Sequence, residues 1–200
     1  MTTLAVYRDD GPIARALGRA GRLQQFVLVA AAAVPLFATI AIGGDEVSDP
    51  VVGAALGWLI VCGGAASGAP PGGRLLWTQL PILRACEYGA LLWLAAIAGP
   101  SALPAAFALL SALAFRHYDL IYRMRLGGSV PPAWVNALSL GWEGRLLGAY
   151  VLFLTGAVTV GFFVAAGVLA VAFVGESALG WLAAGRMRQP LDYEDEEEDA

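Results

Sequence analysis

Residues 146–175 read LLGAYVLFLTGAVTVGFFVAAGVLAVAFVG, thirty positions without a charged side chain. The apolar region continues past Glu176 to Gly185, 40 residues in all. As one α-helix these would reach about 60 Å, roughly twice the hydrocarbon core of a bilayer. Two membrane spans joined by a tight turn fit that length better, and the turn is expected between Gly161 and Gly167. One span followed by an interfacial segment is the runner-up.

The pattern repeats upstream. Gln24 to Gly44 carries no charge and predicts a first span over 25–43, interrupted by Pro35, a residue that membrane helices tolerate. Beyond the acidic connection Asp45-Glu46-Val47-Ser48-Asp49-Pro50, the uncharged run Val51 to Gly73 predicts a second span over 51–69, ended by Pro70-Pro71-Gly72-Gly73. A third span is expected over 82–99, closed by Gly99-Pro100, and a fourth over 103–122. The expected fold class is therefore all-α, a polytopic membrane helix bundle with six transmembrane helices, five being the runner-up. Its parts are a basic arm over 1–23, a transmembrane helical domain over 24–188 and a disordered acidic tail over 189–200.

Composition points the same way. Hydrophobic residues make up 58% of the 200 positions and charged ones only 14%, with a mean hydropathy of +0.69. Soluble domains spend about a quarter of their residues on charge, so too little is left here to cover a soluble surface. The net charge of −4 is produced by seven acids between Asp192 and Asp199; the rest of the chain carries 12 arginines against 9 acids. With six spans and a cytoplasmic N-terminus, all 12 arginines, from Arg8 to Arg188, fall on the cytoplasmic side, and the first outer loop carries only acids. That is the positive-inside pattern, and it predicts a multi-pass protein of the cell membrane with both termini in the cytoplasm. No basic face with a binding motif stands away from the membrane, so nucleic acid is not an expected partner. Cys62 and Cys86 lie in apolar runs with no metal-ligand spacing and read as buried free thiols.

Ionisable residues inside predicted spans are the informative exceptions, because a charge in lipid costs several kcal/mol unless it is paired, hydrated or snorkelling. Glu87 falls early in the third span, while Arg116, His117 and Asp119 fall late in the fourth, which runs the other way. All four belong to one inner-leaflet layer, which Glu143 and Arg145 join from the start of the fifth. Helical spacing puts Arg116, Asp119 and Arg123 on one face, with Arg116–Asp119 as the expected ion pair and Glu87 or a lipid headgroup as the expected contact of His117. The candidate phosphate-binding residues are Arg116, Arg123 and Arg145; the candidate catalytic residues are Glu87, His117, Asp119 and Glu143. His117 is the sole histidine, which excludes a histidine-rich metal site. In an enzyme, carboxylates would hold Mg²⁺ or Mn²⁺, with Asp9 and Asp10 as further candidate ligands.

Four segments carry a resemblance: Asp9-Asp10-Gly11-Pro12-Ile13-Ala14-Arg15-Ala16-Leu17, Arg84-Ala85-Cys86-Glu87-Tyr88-Gly89, Phe115-Arg116-His117-Tyr118-Asp119-Leu120-Ile121-Tyr122-Arg123 and Trp142-Glu143-Gly144-Arg145. Together they resemble an uncharacterised actinobacterial family of multi-pass membrane domains. Some members of that family are joined to a CDP-alcohol phosphotransferase domain or to a nucleotidyltransferase-like domain. The chain is not similar to the phosphotransferase itself. Asp10, Gly11, Ala14 and Arg15 match the centre of that enzyme's metal-binding signature. Tyr7, Leu28 and Ala32, however, stand where three of its four aspartates belong, and Gln24 replaces its distal glycine.

The resemblance implies work beside phospholipid or polyprenyl-phosphate synthesis, with membrane lipids and a membrane enzyme as partners. The function expected is to bind or position a lipid-linked phosphate, or a phospholipid-synthesis partner, at the cytoplasmic leaflet. The alternatives are an enzyme of phosphoryl or phosphoalcohol transfer, in which His117 would be acid or base, and a small transporter.

Overall fold

A computed structural model of the chain describes residues 8–21, 23–43, 47–69, 76–126 and 131–187. Among these the regular structure is helical throughout: α1 (Pro12–Gly18), α2 (Gln25–Gly43), α3 (Asp49–Ala65), α4 (Gln79–Ala98), α5 (Leu103–Leu126), α6 (Ala133–Leu138), α7 (Gly141–Leu154) and α8 (Val158–Met187). The expected acidic tail and the arginines at 22, 74 and 188 lie outside the described residues.

Local chemistry explains most boundaries. Pro12 opens α1 and Pro50 falls in the first turn of α3, where a missing N–H costs nothing. Pro81 is likewise inside the first turn of α4, which lets that helix begin at Gln79, earlier than the sequence suggests. Gly99 ends α4 at φ +121°, a conformation that only glycine adopts easily, and Pro100 follows. Within α2, Pro35 is accommodated, and the Thr39 hydroxyl donates to its carbonyl at 2.8 Å.

The long apolar run is indeed two helices, but its turn lies at Thr155-Gly156-Ala157 and not between Gly161 and Gly167. Gly156 takes φ +69°, and Ala157 N–H donates to Leu152 O at 2.8 Å. Gly161 serves another purpose: a Cβ there would sit 2.5 Å from Leu152, so this glycine allows α7 and α8 to approach closely just after they separate.

Side-chain contacts set the helix directions. Gly53 meets Tyr150 and Gly63 meets Trp142, so α3 and α7 run antiparallel. Arg116 lies over Phe173, and Asp119 receives the Ser177 hydroxyl, so α5 and α8 run parallel. The segment from Arg8 to Gly18 is packed into this bundle. Ala14 and Gly18 are buried, and Gly18 faces Ser67 and Gly68 so closely that a Cβ would collide with both.

The distribution of polarity is inverted relative to a soluble protein. Glu87 and Glu143 are 0% exposed and Arg116 is 2% exposed, whereas Val171 is 77% and Leu179 70% exposed. Charges inside and large aliphatics outside suit a lipid solvent. Three helices are long and apolar enough to cross a membrane, Gln25–Gly43, Gln79–Ala98 and the Val158–Ala183 part of α8, while Asp49–Ala65 is apolar but shorter.

Candidate functional site: a buried layer of paired charges

The ionisable residues gather at one end of the bundle. They come from α1 and the residues before it, the early part of α4, the late parts of α5 and α8, and the start of α7, with the Gly63 carbonyl near the end of α3 as an acceptor. Two clusters make up the layer.

The first is centred on Arg145. Its Nε donates to Glu87 Oε1 at 2.7 Å, and Nη2 lies 2.6 Å from the same oxygen. Nη1 donates to Asp9 Oδ2 at 2.9 Å and to Ser139 O at 2.8 Å. Glu87 is also held by Arg84, 2.6 Å from Oε2. Next to this, Asp10 accepts from Arg8 Nε at 2.9 Å and from the Trp142 indole at 2.8 Å, while Arg8 Nη2 donates to Gly63 O at 2.8 Å. Glu143 accepts two backbone N–H groups, Gly11 and Ala14, each at 3.1 Å. It therefore caps α1 from another helix, satisfying donors that a helix start leaves open. Asp9 at φ +52° and Leu140 at φ +60° are the backbone bends that bring the two segments together; Trp142 N–H donates to Asp9 O at 3.2 Å.

The second cluster joins α5 to α8. Arg123 donates through both Nη atoms to the two carboxylate oxygens of Glu176, each at 2.9 Å, and its Nε lies 2.7 Å from Asp119. Asp119 also accepts the Ser177 hydroxyl at 2.7 Å. Arg123 thus takes the role expected of Arg116: the ion pair on this helix is Asp119–Arg123, at i and i+4, and not Arg116–Asp119. Arg116 instead reaches Asn136 Oδ1 on α6 and stacks 5.1 Å from the Phe173 ring centroid. His117 faces Tyr88, with Nδ1 2.6 Å from the phenolic oxygen, and no hydrogen bond or ion pair links its ring to Glu87.

Each sequence-predicted site residue therefore has a place, but not a common one. Glu87, Arg145 and Asp9 meet; Glu143 and Asp10 stand beside them on separate partners; Asp119 and Arg123 belong to the other cluster. Among the described residues no three His, Cys, Asp or Glu side chains converge as metal ligands would. Of the three arginines proposed for phosphate, Arg123 and Arg145 are already engaged by carboxylates. Arg116 differs. Among the described residues no carboxylate lies within ion-pair distance of it, and Asp9, Asp119 and Glu176 act on its charge only from farther away. Sequence reasoning missed Arg8, Asn136, Ser139 and Ser177, each of which has a partner distant in the chain. Glu176 did carry a signal, as the one charge within the last apolar run. Cys62 and Cys86 are buried free thiols.

An all-helical bundle with charges buried in one layer and aliphatic side chains turned outward is a multi-pass membrane protein. Comparison with curated proteins and with solved structures gave no match. The chain belongs to DUF5941, a family of unknown function, whose model matches residues 1–197.

Proposed function

We propose that this protein binds a phosphate-bearing membrane lipid at the arginine-rich end of the bundle, through Arg116. The observation that carries the reading is the missing direct ion pair: Arg116 is nearly fully buried, yet Asp9, Asp119 and Glu176 act on its charge only from beyond ion-pair distance. A buried guanidinium with no carboxylate in direct contact is costly, whereas a phosphate oxygen would supply both a contacting charge and acceptors for its planar donors. Its present acceptor, the neutral amide of Asn136, belongs to an exposed residue of a two-turn helix, so an anion can take that place from the surface.

The arginine-rich end is proposed to face the cytoplasm, with six crossings. Two observations support this. Arg8, Arg84, Arg116, Arg123 and Arg145 share one end, while α3 starts at Asp49 on the other. The parallel course of α5 and α8 is also what six crossings require. A membrane enzyme handling phospholipid or polyprenyl phosphate is the proposed partner.

The test is lipid retention by the full chain purified in mild detergent, read by native mass spectrometry. Arg116→Gln should lose bound phosphate lipid about tenfold, and Arg125→Gln, at an exposed position, should not. Equal retention by Arg116→Gln and the parent would overturn the proposal. Should Arg116→Gln fail to fold, Asn136→Ala decides: freeing the guanidinium should raise retention, and a fall would count against the site.

A further inference from the structure

We propose that the recess between α1 and the turn after α3 is a second anion site, and that it takes a phosphomonoester dianion at the arginine-rich end of the bundle. It shares no residue with the Arg116 site and stands independently of the lipid reading above.

Close backbone packing forms the recess. Gly18 lies against Ser67 and Gly68, and Gly21 lies against the Ala65 carbonyl, each so closely that a Cβ would collide. The Ser67 hydroxyl donates to Ala14 O at 2.8 Å and fastens the two segments together. What remains beside this contact is a hollow of about 430 Å³, with Gly18, Gly21, Ser67 and Gly68 in its lining. Small-molecule sites occupy about 300–1,000 Å³, so it has room for a phosphate and a small polar body.

The charge of the recess comes from α1. Arg15 and Arg19 are one turn apart, and Arg19, the C-cap, still has helical backbone angles, so both fall on one face. Both are exposed and both line the recess. Arg15 Nε donates to Gly11 O at 3.1 Å, which directs its fork and leaves the Nη groups for a ligand. Arg8, Arg84, Arg123 and Arg145, at the same end, each contact a carboxylate. Among the described residues none lies within ion-pair distance of Arg15 or Arg19. Asp10 also lines the recess, but its two oxygens are held by Arg8 and the Trp142 indole, so its charge is matched within the bundle. Two positive charges are left over.

That surplus selects the ligand. Like charges one helical turn apart repel, and an anion set between them removes the repulsion. Guanidinium forks match the oxygens of a phosphate. Near pH 7 a phosphomonoester carries a charge of about −1.5 to −2, which two arginines balance; a phosphodiester carries one negative charge and leaves an arginine unmatched.

The test uses the full chain in phosphatidylcholine nanodiscs and two probes, glycerol 3-phosphate in solution and phosphatidic acid doped into the disc. Arg15→Gln/Arg19→Gln, altered only at exposed positions, should bind about tenfold more weakly than the parent, and Arg125→Gln should bind like the parent. A loss seen with glycerol 3-phosphate marks a site for soluble phosphate; a loss seen with phosphatidic acid alone marks a headgroup site. The matching diesters, glycerophosphoglycerol and phosphatidylglycerol, should bind the parent about tenfold more weakly than the monoesters. No difference between parent and double variant with either probe, an equal loss in Arg125→Gln, or diesters that bind as tightly as monoesters would each overturn the site. Binding that appears only when the seven acids between Asp192 and Asp199 are changed to their amides would make the tail the occupant and overturn it too. Parent and double variant both keep Arg116, so failure here leaves the lipid reading untouched, and loss of lipid by Arg116→Gln leaves this site untouched.

Discussion

Replacing Arg145 by methionine would leave Glu87 with Arg84 as its guanidinium, at 2.6 Å, and Asp9 with the Ser139 hydroxyl at 3.4 Å. Methionine fills much of the volume but supplies no donor. Removing one partner of a buried ion pair costs about 3–5 kcal/mol where the remaining charge stays uncompensated, which here applies to Asp9. For a chain of this size each kcal/mol lowers the melting temperature by about 2–4 °C, so a fall of about 10 °C is expected. Glu87→Gln should cost less, about 1–3 kcal/mol, since Arg145 keeps Asp9 and the Ser139 carbonyl. The double variant should be less destabilised than the sum of the two by about 1–3 kcal/mol, because both changes break one network. Thermal unfolding in a fixed detergent, followed by tryptophan fluorescence, measures all four corners, with Arg125→Met as the exposed control. An Arg145→Met protein that melts with the parent, or two effects that simply add, would refute the assignment of Arg145 as the centre of the layer.

Two further changes probe how the segment around α1 is fastened. Glu143→Gln keeps one acceptor but turns an amide donor toward a backbone N–H; it should cost about 1.5–3 kcal/mol and raise hydrogen exchange over residues 11–18 while leaving α5 and α8 protected. Gly18→Leu puts a Cβ 2.1 Å from Ser67 Oγ and 2.8 Å from the backbone nitrogen of Gly68. Backbone cannot yield cheaply there, so a loss of about 1–3 kcal/mol and faster proteolysis near α1 are expected.

The bundle was legible because hydropathy is a property of consecutive residues. The helix Gln25–Gly43 has the bounds that its uncharged run implies, and the paired-helix reading of the final run follows from length alone. Its turn was misplaced because two kinds of glycine look alike in sequence: Gly156 makes a bend, whereas Gly161 allows a close crossing. The charge layer was legible as a depth, since Glu87, Arg116, Asp119, Glu143 and Arg145 all fall in the halves of their helices that face one end of the bundle. Pairing was not. Asp119 has arginines at i−3 and at i+4, and spacing permits both; Glu176 draws Arg123 into place, leaving Arg116 to Asn136.

By itself the sequence determined that this chain enters a membrane several times and which end of the bundle collects its arginines. Both follow from transfer free energies that accumulate along the chain, residue by residue. Only the tertiary structure decided that Glu143 caps a helix more than a hundred residues away, that Arg145 is consumed by Glu87 and Asp9, and that Arg116 is left without a direct ion pair. Those outcomes depend on distances of a few ångströms between separate helices, where one guanidinium's choice of partner settles what remains for the next.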